Sequence, residues 1–491
     1  MSKPVFYFPF FISLISLVFV QCSSKTIPRR NVTHTQNYSD SGWPQYIDLN
    51  IGETESFSWK INNSERSYKI TLINIEYIWE TNLWVPERFA NKSLKEAKVT
   101  LKVNGKRVVI PQRAYQMPIG FNGLRIYIEN TRVWAKKADF AAIENFTKDV
   151  RIAVCNQDES WGSKDMRFPI AEYRWRSSPY NNSWSSLVPY NKLYYHRGED
   201  YGVIPDKLDI RAPLKGKVIA TPLPNGDRQS NAVIVKSSED FSYRISHLNI
   251  EFVKPEVVLG AGINRAQILG KTGSTYNGAR NQIYDPHMHI NFMYKGQAVS
   301  PFPYMIEAYL RDYPDTVLAI AGGYANTLPK QEVTLDATRS IVRKGYTISS
   351  FTWILHDGRI INKPKIRTQY TKPGLYTEEL IVKTKDGAED RDYVQVRVYD
   401  KKNPMKITYG WAYHFPVRDI KAGTKVLIFN KLYNTKGPVT IDFGDRSGVE
   451  KIEEQIDHIY KYPGIYTVTL TTLGLQNDQV TIKMKVVVEG A

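Results

Sequence analysis

Cysteine is almost absent from this 491-residue chain, which has only Cys22 and Cys155. Cys22 closes an N-terminal leader, so no internal disulfide is available to the rest, and packing must hold the fold. Long apolar runs are equally scarce. Lys3 followed by the apolar stretch Val5–Val20 has the length and flanks of a secretory signal. No later run approaches the ~20 residues needed to cross a bilayer as a helix. Residues 1–22 are therefore expected to be a signal peptide, leaving an exported chain, soluble or lipid-anchored, with no transmembrane span. Cys22 sits where a lipidated cysteine would, although Gln21 replaces the small residue usual before it. Cleavage by an ordinary signal peptidase is the rival reading. Dense basic runs are missing too. The net charge of +17 is spread along the whole chain. A basic surface accumulates on polyanions. With export and no nucleic-acid motif, cell-wall polymers or lipid head groups are the expected partners, and nucleic acid is not.

Histidine is also rare, yet four of the eight fall in three short segments. These are His196-Arg-Gly-Glu-Asp200, Tyr243-Arg-Ile-Ser-His247-Leu248 and His287-Met-His289. Each alone is weak, since a His-x-His on a strand is more often a surface or packing pair. Together, in a stretch rich in Gly and β-branched residues, they outline a site built from strands and tight turns. A hydrolytic zinc needs three ligands from His and carboxylates and an open fourth position. It also needs a base for the attacking water and a donor for the oxyanion. Residues two apart on a strand share a face, so His287 and His289 can point the same way, one onto the metal and one beside it. His196 and Asp200 are too far apart for one flat strand, and Gly198 would let the chain turn so that both converge. His247 ends an alternating run (Phe241, Tyr243, Ile245) that reads as a strand, which would set it facing a groove.

The three segments, in this order, resemble the lysostaphin-type (LytM-like) zinc metallopeptidases of bacterial cell walls. The intervening elements agree as well. Ala212-Pro213-Leu-Lys-Gly216-Lys-Val218-Ile-Ala220 is similar to the family hairpin, and Ile268-Leu-Gly270-Lys-Thr-Gly273-Ser274 to its Gly-rich stretch. The resemblance covers about residues 186–312. It implies Zn²⁺ bound by His196, Asp200 and His289, with His247 and His287 as the catalytic pair that orients or deprotonates water and steadies the oxyanion. All five residues are present, whereas inactive relatives lose one or more. Two departures lie beside the groove: an insertion-like run, Tyr201–Leu208, and an extended loop, Ala279–Pro286. Tyr190 and Tyr195 could reach the site as oxyanion donors, with aromatic packing as the preferred reading.

The rest of the chain reads as β modules, making the whole mainly β and multi-domain. Residues 42–185 alternate apolar and polar in short runs, with a hairpin turn at Asn104-Gly105, and read as a β-sandwich without a catalytic constellation. A short helix over Ala138–Thr147 is the one alternative there. Tyr370-Thr-Lys-Pro-Gly-Leu-Tyr376 recurs as Tyr460-Lys-Tyr-Pro-Gly-Ile-Tyr466. An aromatic–acidic–Gly element precedes each copy: Trp353-Ile-Leu-His-Asp-Gly358 and Ile441-Asp-Phe-Gly-Asp445. Repeats this long are whole domains, and they resemble PKD-type immunoglobulin-like sandwiches over 318–400 and 405–491. Asp442 and Asp445 could ligate calcium, with loop-capping hydrogen bonds as the preferred role. Beyond a short linker, Asp312–Asp315, these modules read as spacers that take no part in bond cleavage. The expected function is an exported zinc endopeptidase that hydrolyses peptide cross-links of peptidoglycan. The competing one is a non-catalytic envelope scaffold that uses a peptidase-like domain to recruit or activate another hydrolase.

Overall fold

The computed structural model describes residues 36–38, 43–61, 64–81, 92–137, 146–189, 193–226, 230–275, 285–400 and 408–490. The signal-peptide and Cys22 readings, Tyr190, most of Ala279–Pro286 and most of Ala138–Thr147 lie outside them. Strand accounts for 53% of the structure and helix for 5%, which makes the fold mainly β. Among the described residues, no helix is long and apolar enough to cross a membrane.

The N-terminal region stacks a five-stranded sheet on a four-stranded one. Strands Lys92–Val103 and Lys106–Gln112 meet at Asn104-Gly105, where both residues have positive φ (46° and 86°), as a tight hairpin turn demands. Alternation does the rest: Ile70, Leu72, Val99, Leu101 and Val103 turn inward and are fully buried.

The central sheet is antiparallel. Its order is Asn181–Asn182, Glu199–Gly202, His287–Tyr294, Phe241–Ser246, Val233–Lys236, Gly216–Ala220 and Gly262–Ile263. Helix Phe302–Asp312 follows, with Pro at its first turn, and buries Phe302, Tyr304, Met305 and Tyr309. One continuous apolar core runs from Ile47 to Ile320 and takes in Val417, so the N-terminal sheets and the central sheet share an interior.

The two C-terminal modules join through one ten-stranded sheet, linked where Gly374 and Leu375 pair in parallel with Gln479 and Val480. The sequence repeat is a structural one. Tyr376 Oη donates to the Lys372 carbonyl at 3.0 Å, and Tyr466 Oη to the Tyr462 carbonyl at 2.8 Å. Asp442 Oδ1 accepts from the Gly444 N–H and Asp445 Oδ1 from the Ser447 N–H, so both carboxylates cap their loop. The segment Asp312–Asp315 differs from the expected linker. Asp312 takes Arg167 and Arg211, and Asp315 takes Arg174 and Arg418, which ties the C-terminal modules to the central domain.

Candidate metal centre and active site

Sheet register brings the three His segments together. Asp200 lies opposite His289 and Gly202 opposite His287, while on the other flank of that strand Ser246 lies opposite His289. His247 follows directly. Its φ of 63° falls in the left-handed region that non-glycine residues rarely occupy. Its N–H donates to the Ser230 carbonyl at 2.7 Å. Two glycines make room. A Cβ on Gly198 would lie 2.5 Å from the Ile290 carbonyl oxygen and 2.7 Å from His289 Cε1. A Cβ on Gly273 would lie 2.8 Å from the His247 carbonyl oxygen. The chain does bend at Gly198, but close approach to His289 is what excludes a side chain there.

His196 Nε2, Asp200 Oδ1 and His289 Nδ1 converge. The separations are 3.1 Å for His196–Asp200, 2.6 Å for Asp200–His289 and 3.1 Å for His196–His289. Tetrahedral zinc, with bonds of about 2.0–2.1 Å to N and O, sets its donors about 3.3 Å apart. Three electron-pair donors crowded to nearly that spacing fit a cation between them. Neighbours aim two of the three donors. His289 Nε2–H donates to Asn291 Oδ1 at 2.9 Å, and Asn291 Nδ2 in turn donates to the Arg197 carbonyl, so Nδ1 faces the cluster. Asn182 Nδ2 donates to Asp200 Oδ2 at 2.7 Å, which leaves Oδ1 for the cluster. Burial works against charge on Asp200, but His196 and His287 beside it outweigh burial and hold the carboxyl well below the usual carboxylate range. Burial lowers the His289 imidazole. Both donors are thus deprotonated at neutral pH, as metal ligation requires.

The other two histidines stand beside this trio. Their ring centroids are 4.6 Å apart, and His287 Nε2 is 3.7 Å from Asp200 Oδ1. His247 Nδ1 donates to the Thr275 carbonyl at 3.1 Å and His287 Nδ1 to the Asp285 carbonyl at 2.6 Å. A carbonyl only accepts, so Nδ1 carries the proton in each ring. Burial pushes His247 well below the usual imidazole range, so the ring is neutral at pH 7. Its Nε2 then holds a lone pair. Tyr180 stacks on His287 at 4.7 Å with the rings 27° apart.

All five sequence-selected residues therefore meet in one place. Tyr195 does not join them. Its hydroxyl bridges the N–H and carbonyl of Leu94 at 2.6 and 3.2 Å, so it packs between domains. Glu199, next to Asp200, faces the opposite side and accepts from Ser183 Oγ and the Trp184 N–H. Burial pushes its carboxyl well above the usual range. Sequence reasoning missed Asn182, Asn291 and Tyr180. Asn291 had a signal, since His287, His289 and Asn291 alternate along one strand face.

Residues 194–301 match the model of peptidase family M23, and residues 316–398 match that of the PKD domain. The chain carries an M23 peptidase domain and a PKD domain. No curated protein matches the chain. Among solved structures, a catalytic-domain variant of a prophage-encoded M23 protein from Enterococcus faecalis is similar, at 22% identity over 25% of this chain and 88% of that one, with a TM-score of 0.18. A zinc containing peptidase from Vibrio cholerae is similar at 11% identity over 48% of this chain and 85% of that one, with a TM-score of 0.22. Tyr180 and Asn182 lie outside the residues matched to M23, and the second repeat, 405–491, lies outside those matched to the PKD domain.

Proposed function

We propose that this protein is an exported zinc endopeptidase that hydrolyses peptide cross-links of bacterial peptidoglycan. The observation that carries the reading is the convergence of His196 Nε2, Asp200 Oδ1 and His289 Nδ1 beside two histidines whose Nδ1 protons are committed to carbonyls. His196, Asp200 and His289 would hold the ion. Bound zinc supplies Lewis-acid polarisation of a peptide carbonyl and lowers the pKa of water. The chain's own part is proton handling and orientation. Neutral His247 accepts the proton of the attacking water at Nε2, and His287 at its side helps orient that water and steady the oxyanion. Asn182 and Asn291 keep the ligand atoms aimed. The spread positive charge favours accumulation on anionic wall polymers. Presence of all five residues in one cluster speaks against a scaffold without turnover.

The test is elemental analysis of purified protein followed by muropeptide analysis of digested walls. One zinc per chain and newly freed cross-link termini are expected, with both lost in His289→Ala. Undiminished zinc in His289→Ala, or intact cross-links after digestion with the zinc-loaded parent, sinks the proposal.

A further inference from the structure

The catalytic pair is supported from an unexpected direction. The second C-terminal module contains the strands Tyr409–Phe415 and Lys425–Tyr433, paired antiparallel. From the first of them, Trp411 meets Tyr180 edge to face, with centroids 4.8 Å apart and an interplanar angle of 70°. Tyr180 in turn stacks on His287. Trp411, Tyr180 and His287 are 4%, 9% and 7% exposed, so this is a buried relay and no grazing surface contact. A second route reaches the same ring. The Tyr433 hydroxyl lies beside the carboxyl of Asp285, and the Asp285 backbone carbonyl takes the His287 Nδ1 proton.

The module cannot readily swing away from this position. Arg418 donates to the Tyr173 carbonyl and to Tyr309 Oη, both at 2.8 Å, and pairs with Asp315. Gln395 of the first module donates to the Gly410 carbonyl at 2.9 Å, next to Trp411. The Arg397 guanidinium lies 4.3 Å from the Tyr324 ring and 6.0 Å from that of Trp411. The backbone carrying Trp411 is thus fixed from the central domain and from the first module together.

We infer that the second C-terminal module is part of the active site: Trp411 through Tyr180, and Tyr433 through Asp285, position the His287 ring. These are positioning residues, since neither touches the metal cluster. The inference rests on the catalytic reading of His287 above and replaces the spacer reading of this module. A ring held on its face by Tyr180 and at Nδ1 by the Asp285 carbonyl presents Nε2 in one orientation, and catalytic geometry is sensitive to small misplacement.

The experiment uses the full chain and its Trp411→Ala, Trp411→Phe and Tyr433→Phe variants, with zinc content, melting temperature, kcat and KM on a soluble cross-linked peptide. Trp411→Ala is expected to keep its zinc and lose about tenfold in kcat with KM within about twofold, as supporting contacts in a metal site do when removed. Trp411→Phe should restore most of the rate. Parental kcat in folded, zinc-loaded Trp411→Ala overturns the inference. Should Trp411→Ala fail to fold, Tyr433→Phe decides, since it keeps the ring and removes only the hydroxyl. A fall of about threefold in kcat is expected there, and an unchanged kcat overturns the inference. The His287 ring is also read directly, by NMR of ¹³C-histidine-labelled protein assigned with His287→Gln. A displaced or broadened His287 signal in Tyr433→Phe or Trp411→Ala supports positioning, and an unmoved one overturns it. A parent without peptidase activity would instead defeat the proposed function, leaving the NMR readout to judge the positioning by itself.

Discussion

The two halves of the site are held by different parts of the molecule. In the proposed ligand half, Asp200 and His289 are aimed from within their own sheet, by Asn182 on one neighbouring strand and by Asn291 two residues along the same strand, while His196, in the turn between strands, is held through its backbone by Ser185 and Ser186. In the proposed catalytic half, His247 follows its strand and His287 opens the His287–Tyr294 strand. Both rings are aimed by carbonyls outside the sheet, at Thr275 and Asp285, and His287 also by a ring from outside the matched M23 residues. A sheet ladder positions its side chains more precisely than a loop does. Loops match it only when something packs on them. The contrast explains why modules that look like appendages in sequence dock so firmly here.

The largest test of that contrast lies at Arg176, four residues before Tyr180. Arg176 Nε donates to Asp392 of the first C-terminal module at 2.8 Å, and the two side chains are 2% and 1% exposed. Asp392 also accepts from the Ala321 N–H. Arg176→Met strands a buried carboxylate, which costs about 3–5 kcal/mol. Denaturant unfolding should register that loss, and at substrate saturation kcat of the folded fraction should fall more than its zinc content. Equal stability of variant and parent would mean that the ion pair does not hold the modules in place.

Acid gives the next effect. His414, on the strand that carries Trp411, donates from Nδ1 to the Pro416 carbonyl at 2.8 Å, and burial pushes its imidazole down to about 4. The unfolded chain takes up that proton near 6.5, before the folded one does. Stability from this group is therefore complete above about pH 6.5 and lost as pH falls toward 4, by roughly 3 kcal/mol in all. His414→Gln should flatten the slope of stability against pH in that window. Identical slopes in variant and parent would remove His414 from the account.

How much of this was legible in the sequence follows the same division. His287, His289 and the His196–Asp200 pair are set by strand period and one close turn, so short-range spacing exposes them. The resemblance then supplied their order along the chain and the roles proposed for them. Tyr180 and Trp411 were not legible, because their meeting depends on how two domains dock, and no local period encodes that. The linker reading of Asp312–Asp315 failed for a related reason. Short acidic segments look solvated until the arginines that face them, Arg167, Arg174, Arg211 and Arg418, are brought in from distant sequence. The Pro-Gly-x-Tyr repeat was fully legible, since its tyrosine bonds a carbonyl four residues back.

Within the site, the halves should separate cleanly. His247→Ala is expected to keep zinc and lose about a hundredfold in kcat, as when a general base is removed. Asn291→Leu is expected to do the reverse. It frees the His289 ring to turn and should weaken zinc affinity about 10–100-fold, while kcat at saturating zinc stays near the parent's. Competition with a chelator measures the first quantity and steady-state kinetics the second. A variant of either kind that lowered both equally would erase the distinction.

The smallest effect comes from a residue that belongs to neither half. Tyr195 stands one position before the ligand His196, and a hydroxyl so placed invites a role in oxyanion binding. Its geometry says otherwise. The hydroxyl is spent on both backbone groups of Leu94, and the ring packs edge-on against Trp134, with centroids 5.9 Å apart. Burial raises its pKa to about 12, so it stays a neutral hydrogen-bonding group across the working range. Tyr195→Phe keeps the ring and removes the bridge, leaving the Leu94 N–H and carbonyl without that partner. The expected cost is about 1 kcal/mol of stability, with zinc content, kcat and KM at parental values. A tenfold fall in kcat at unchanged stability would return Tyr195 to the catalytic half and show that its bond to Leu94 breaks when substrate binds.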